Sequence, residues 1–234
     1  MRPFLVICIL LMMLYFLVHE DSDLKNVVLE FKKLRDNKKS LNYENLKREY
    51  NLDSICPLQV INNVVTPKLL ELISKYYKKR ISDNVWKLGD EQSNNRYVYH
   101  NEPLSRILHY EILPLIEKIV GKKLKPTNTY FSGYTKGSDL PPHIDRKECE
   151  YTVSFLVDKP ENSNWNLYIH KKKQTIRHSG IYDIAPKIED CYSVDCEKGG
   201  LIMFQGIDHI HFREKLEHDY YNILLFHYQI ETRN

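Results

Sequence analysis

The change of character at Pro126 constrains this 234-residue chain more than any other feature. Before it, the sequence carries helix signals. Thr66 is placed to cap a helix and Pro67 suits its first turn, ahead of an apolar face from Leu69, Leu70, Leu72 and Ile73 with Tyr76 and Tyr77 below. Lys78-Lys79-Arg80 close that helix, where cations complement its dipole. A second helix is expected over residues 102–120, with Leu104, Ile107, Leu108, Ile112, Leu115, Ile116 and Ile119 on its core side. Pro114 can kink it and Gly121 is a natural stop. After Pro126 come short β-branched or aromatic runs at 129–134, 151–157, 165–170, 174–177, 201–204 and 222–230. Turn signals such as Lys136-Gly137-Ser138-Asp139, Asp158-Lys159-Pro160 and Gly199-Gly200 separate them. Helices followed by many strands favour an α+β domain in which helices brace a β-sandwich or barrel.

The first segment is different in kind. Residues 4–18 are all apolar or aromatic, preceded by Arg2 and followed by His19-Glu20-Asp21. Fifteen residues at about 1.5 Å rise fall short of a hydrocarbon core of roughly 30 Å, a gap that tilt or local thinning can close. Small residues for signal cleavage are absent, since Tyr15, Phe16, Leu17 and Val18 hold that place. An uncleaved signal anchor over 1–20 is therefore expected, with secretion after cleavage as the alternative. The positive-inside rule leaves the body of a single-pass protein lumenal or extracellular, as in the endoplasmic reticulum. Residues 21–56 read as a stem helix, with Val27, Val28, Phe31 and Leu34 on one face, and a connector acting as a solvated spacer. The folded domain would then be 57–234. Cys56, Cys149, Cys191 and Cys196 could form two disulfides or remain buried thiols. A net charge of +3, with scattered lysines and arginines, argues against a nucleic-acid partner.

The chemistry lies in Tyr134-Thr-Lys-Gly137-Ser-Asp-Leu140-Pro-Pro-His143-Ile-Asp145-Arg146. On an extended chain, positions i and i+2 share a face, so His143 and Asp145 can offer an imidazole and a carboxylate to one ion. A third ligand must come from elsewhere, and His209-Ile-His211-Phe-Arg213 supplies it. Two imidazoles and one carboxylate leave coordination positions open, the ligand set of iron(II) oxygenases. His209 lies two residues from His211 and could substitute for it or line the pocket.

From about Tyr130 to Tyr228 the chain resembles the 2-oxoglutarate- and iron(II)-dependent dioxygenases, most nearly their prolyl 4-hydroxylase-like branch. The carrying residues are the segment above with Cys149-Glu150-Tyr151-Thr152, then Gly199-Gly200-Leu-Ile-Met-Phe204, Gly206-x-x-x-x-His211-Phe212-Arg213-Glu214 and Leu224-Leu225-Phe226-His227-Tyr228. The resemblance implies a double-stranded β-helix, or jelly roll, braced by the N-terminal helices. It implies iron(II) on His143, Asp145 and His211, 2-oxoglutarate as cosubstrate, and ascorbate as a reductant such enzymes can draw on. The implied reaction is hydroxylation of an unactivated C–H bond, with a prolyl residue of a protein as the family default. A peptide or a small molecule would be the partner; the sequence leaves the oligomeric state open.

The chain departs from the family pattern at one position. Relatives usually carry a lysine or arginine about ten residues after the distal histidine to pair with the far carboxylate of 2-oxoglutarate. Here that position is Tyr221, and residues 216–227 contain no base except histidine. A dianion in a pocket needs a cation or several donors, and Arg213 is the replacement expected, with hydroxyls from Tyr134 and Tyr130. Arg213 could instead pair with Glu214 or a neighbouring acid. The loss at Tyr221 supports a rival reading, a catalytically degenerate, membrane-tethered jelly-roll binding module. A zinc hydrolase on His143, His209 and His211 leaves Asp145 without a role and lacks a helical HExxH. His170, His178 and His218 read as surface or loop residues and His227 as a satisfied core histidine; Trp165 and Phe204 read as core and Lys171-Lys172-Lys173 as a solvated tip.

Overall fold

Period-two alternation divides the long strands between two cores. The structure, a computed structural model, describes residues 21–36, 58–174 and 180–231. Its elements in chain order are α1 (Ser22–Asp36), β1 (Leu58–Ile61), α2 (Pro67–Ser82), β2 (Arg96–His100), α3 (Pro103–Val120), β3 (Leu124–Thr135), β4 (Leu140–Ile144) and β5 (Tyr151–Asp158). Then follow β6 (Leu167–His170), β7 (Gly180–Ile181), a 3-10 turn (Ile188–Asp190), β8 (Cys191–Val194), β9 (Leu201–Phe204), β10 (His211–Arg213) and β11 (Tyr220–Ile230). All pairings between these strands are antiparallel. Six strands form one sheet in the order β1-β9-β5-β11-β3-β2, and five form another in the order β7-β4-β10-β6-β8.

One side of the six-stranded sheet packs on helices. Phe131, Val153, Phe155, Leu224, Phe226 and Tyr228 join Leu69, Ile73, Leu108 and Ile112 in that core. Their neighbours in sequence, Tyr134, Leu156, Tyr221 and Ile223, turn to the second core with Leu140, Leu167 and Ile169 of the five-stranded sheet. The result is the expected helix-braced jelly roll. Because β5 is buried on both faces, its sequence reads as an almost unbroken apolar run.

The helices start and stop as their caps require. Thr66 accepts the Leu69 N–H at 3.3 Å and Pro67 opens α2. Glu102 caps α3, accepting the N–H groups of Leu104 and Ser105 at 3.0 and 2.9 Å, and Gly121 ends it in the left-handed region at φ 70°. Glu102 is buried and also accepts hydroxyls from Tyr76 and Tyr77 at 2.5 and 2.8 Å, tying α2 to α3.

Several expectations need correction. Residues 22–36 are not a solvated spacer. Leu24, Val27 and Phe31 are buried against the domain, and Asp21, Asp23 and Glu30 pair with Arg80, Lys75, Lys79 and Lys68 of α2. Burial holds α1 in place, since exposed ion pairs contribute about 0–1 kcal/mol each. The strands β1, β2 and β8 are too short or too polar for the alternation to expose them. The strand expected at 174–177 falls mostly outside the described residues, and Gln174 itself is not in a strand. Lys173 is not simply solvated, because its ammonium pairs with buried Asp208 at 2.5 Å. Cys149, Cys191 and Cys196 are free, buried thiols, so no bridge closes the 191–196 loop; Cys56 lies outside the described residues. No helix among the described residues is long and apolar enough to cross a membrane; the apolar run at 4–18 lies outside them.

Candidate metal centre

Strands β4 and β10 set the two histidines opposite each other. His143 and His211 are register partners, with ring centroids 4.1 Å apart. Asp145 follows β4 directly, and its Oδ1 lies 3.6 Å from His143 Nε2 and 3.7 Å from His211 Nε2. One donor atom from each residue falls within 4.8 Å of the others. The far ring nitrogens fix the tautomers. His143 Nδ1 bonds the Pro141 carbonyl at 2.8 Å, and His211 Nδ1 bonds that of His209 at 3.0 Å. A carbonyl only accepts, so each Nδ1 carries a proton, and in the neutral ring this leaves the Nε2 lone pair on the Asp145 side.

The carboxylate is held from behind. Asp145 Oδ2 accepts the Thr152 hydroxyl at 2.5 Å, and the Asp145 N–H donates to the Gly206 carbonyl at 3.0 Å. A Cβ at Gly206 would overlap Asp145 Oδ2 and Thr152 Oγ1, so only glycine permits this approach. Burial pushes His211 down to about 3, with the neighbouring His143 adding to it. For Asp145, burial works against ionisation, yet the imidazoles of His211, His143 and His227 hold the carboxyl well below its ordinary range. A neutral His211 and an ionised Asp145 are protonation states a divalent cation requires.

This centre opens into a cavity of about 840 Å³. At one end stands Arg213, 2 % exposed. Its guanidinium lies 4.7 Å over the Trp165 ring and 5.0 Å over that of Tyr221, and donates to the Trp165 carbonyl. No carboxylate lies within ion-pair distance of it among the described residues, so the pairing with Glu214 does not form. Tyr221 points its hydroxyl away, to Asp195 Oδ1 at 2.5 Å. The side chain at position 221 is thus buried in the core between the sheets, and a cation from the facing sheet covers its ring. Tyr134 also lines the cavity, packed edge-on to Trp165 at 4.8 Å. Tyr130 lines the opposite part, where its hydroxyl accepts from Arg146.

The structure does not bring His209 to the centre. It precedes β10, where the same-face rule of a strand no longer applies, and its Nδ1 bonds the His170 carbonyl at 2.9 Å. His227 requires the reverse correction. It is buried, but it lines the cavity with Nε2 4.0 Å from Asp145 Oδ2, and its Nδ1 has no partner among the described residues. Alternation along β11 signals this, because Ile223, Leu225 and His227 share the inward face. Trp165 and Phe204 are core residues that also serve the site: Phe204 meets the His211 ring edge-on at 4.7 Å. Arg96 and His100 on β2 line the cavity too, and no sequence motif marks them.

Neither a family model nor a curated protein matches the sequence. Solved structures do match in fold. A prolyl-4-hydroxylase from Pseudomonas putida is similar at 9% identity and a TM-score of 0.56, over 81% of this chain and all of the other. A prolyl hydroxylase from Trichoplax adhaerens, solved with a peptide fragment of the hypoxia-inducible factor oxygen degradation domain, is 14% identical at a TM-score of 0.58, over 80% and 90%. HygX from Streptomyces hygroscopicus, solved with nickel, 2-oxoglutarate and hygromycin B, is 12% identical at 0.53, over 75% and 84%. The chain therefore has the fold of the 2-oxoglutarate- and iron(II)-dependent oxygenases, with a His-x-Asp and distal histidine triad assembled inside it.

Proposed function

We propose that this chain is a 2-oxoglutarate- and iron(II)-dependent dioxygenase that hydroxylates an unactivated C–H bond. The observation that carries the reading is one cavity holding both a three-donor metal face and a buried arginine with no acidic partner among the described residues. The donor set fits iron(II): two neutral imidazoles and one carboxylate oxygen, with no thiolate to favour a softer ion. His143, Asp145 and His211 would hold the metal. Bound iron(II) supplies dioxygen activation, with oxidative decarboxylation of 2-oxoglutarate to succinate as the source of electrons.

The chain's own residues do the rest. Arg213 offers a planar fork to the far carboxylate of the cosubstrate, and Trp165 and Tyr221 hold that fork in place. Tyr134 adds a hydroxyl. Thr152 and Gly206 keep the Asp145 carboxylate fixed so that Oδ1 faces the two imidazoles. Leu140, Leu167, Phe204 and Ile223 wall the cavity with apolar surface, which excludes water and strengthens these charged contacts. Tyr130 and Arg146 line the same cavity and would be available to a primary substrate. A prolyl residue of a protein is the first substrate to test, given the likeness to two prolyl hydroxylases, although HygX was solved with hygromycin B. The run at 4–18 would tether the enzyme, with its domain on the lumenal side; protease protection in microsomes tests that.

Anaerobic titration with iron(II) and then 2-oxoglutarate tests the activity. A saturable visible charge-transfer band, absent in Asp145→Ala, is expected. Tight iron binding with no band would instead favour the degenerate binding module.

A further inference from the structure

Arg96 has no part in any motif, yet it is 5 % exposed and lines the cavity. Antiparallel registers place it abreast of Tyr134, and Tyr134 abreast of Tyr221, in one row across β2, β3 and β11. Its Nη1 donates to the Tyr134 hydroxyl at 3.1 Å. Its Nη2 donates to Gln92 Oε1 at 3.1 Å and forms an ion pair with Asp90 Oδ2. Asp90 Oδ1 in turn accepts the N–H groups of Gln92 and Ser93 at 3.0 and 2.9 Å. A turn at the cavity mouth therefore grips the arginine, and the arginine grips the tyrosine.

The polarity of that last bond is forced. A guanidinium has donors and no acceptor, so the Tyr134 oxygen must accept from it. The tyrosine's own proton is then left for a different acceptor. Arg96 Nε, buried, also has no partner among the described residues, so the protein alone does not satisfy this pair of side chains. Resting on the function proposed above, we infer that Arg96 is a positioning residue: it fixes the Tyr134 hydroxyl as a donor to the far carboxylate of 2-oxoglutarate. The cosubstrate is thereby gripped from two sides, by Arg213 of the five-stranded sheet and by the Arg96–Tyr134 pair of the six-stranded sheet.

The test is an anaerobic titration of iron(II)-loaded protein with 2-oxoglutarate, read by the visible band, with iron affinity measured separately. Arg96→Met should weaken 2-oxoglutarate binding about tenfold and leave iron affinity unchanged. Tyr134→Phe should do the same, and the double variant should be no worse than Tyr134→Phe alone, because the arginine acts through the hydroxyl. Arg96→Lys can reach Asp90 but cannot span Asp90 and Tyr134 together, so its affinity should fall between wild type and Arg96→Met. That variant keeps the test alive if the methionine variant does not fold. A wild-type band unchanged in Arg96→Met or Arg96→Lys, or penalties that multiply in the double variant, overturns the role of Arg96 alone. No band in the wild type overturns the oxygenase reading as well.

Discussion

The guanidinium of Arg213 lies 5.0 Å over the ring of Tyr221, so the residue at the family's basic position is a platform for a cation from the opposite sheet. Arg213→Met keeps the cage filled, since a thioether packs well against aromatic rings. It should cost 2-oxoglutarate binding about 2–3 kcal/mol, roughly 30- to 160-fold, with iron affinity intact. 2-Oxobutyrate, which lacks the far carboxylate, should bind both proteins equally. Equal weakening for both keto acids would mean that Arg213 acts through packing instead.

Gly206→Ala should abolish iron binding while leaving a folded protein. The added methyl overlaps Asp145 Oδ2 and Thr152 Oγ1, and the carboxylate must yield. Circular dichroism checks the fold and isothermal titration the metal. Thr152→Val, which removes only the hydroxyl, should weaken metal binding by about tenfold rather than abolish it.

Glu102→Ala should destabilise the domain by about 3–5 kcal/mol, since two buried tyrosine hydroxyls and a helix cap lose their acceptor together. Glu102→Gln retains one oxygen acceptor and should lose less. Urea unfolding of the metal-free protein measures both; a loss under about 1 kcal/mol for alanine would place the α2–α3 tie elsewhere.

Acid should destabilise the protein through His109. This histidine is fully buried on α3, stacks on Phe226 at 5.6 Å and bonds the His227 carbonyl at 2.9 Å. Burial drives it from its ordinary 6.5 down to about 3. Between those values the unfolded chain binds a proton that the native state refuses. Stability contributed by the neutral ring is therefore complete above about pH 6.5 and lost progressively toward pH 3, at about 1.4 kcal/mol per unit. His109→Gln, which can still donate to the carbonyl, should flatten that limb of the stability–pH curve.

Local alternation carried the centre into view. The i, i+2 spacing of His143 and Asp145 needs only an extended chain, and β4 provides it up to Ile144. The choice between His209 and His211 needed the strand boundary, which begins only at His211. Arg96 was illegible because a charged residue in a five-residue strand reads as surface; its burial depends on Asp90, Gln92 and Tyr134. The amphipathic face of α1 was plain, but its docking partner was not, since Val27 and Phe31 meet α2 across a long stretch of sequence. His227 shows the opposite failure. Its apolar neighbours Phe226 and Tyr228 belong to the helix-side core, while its own side chain faces the metal centre.

Because β11 carries helix-side packing and cavity wall on alternate residues, its length is locked as firmly as its composition. Inserting or deleting one residue just ahead of Phe226 would send Phe226 and Tyr228 into the cavity and His227 among the helices, losing both at once. Change in the shape of this cavity is consequently confined to point substitutions along the inner row and to length changes in the turns at the mouth.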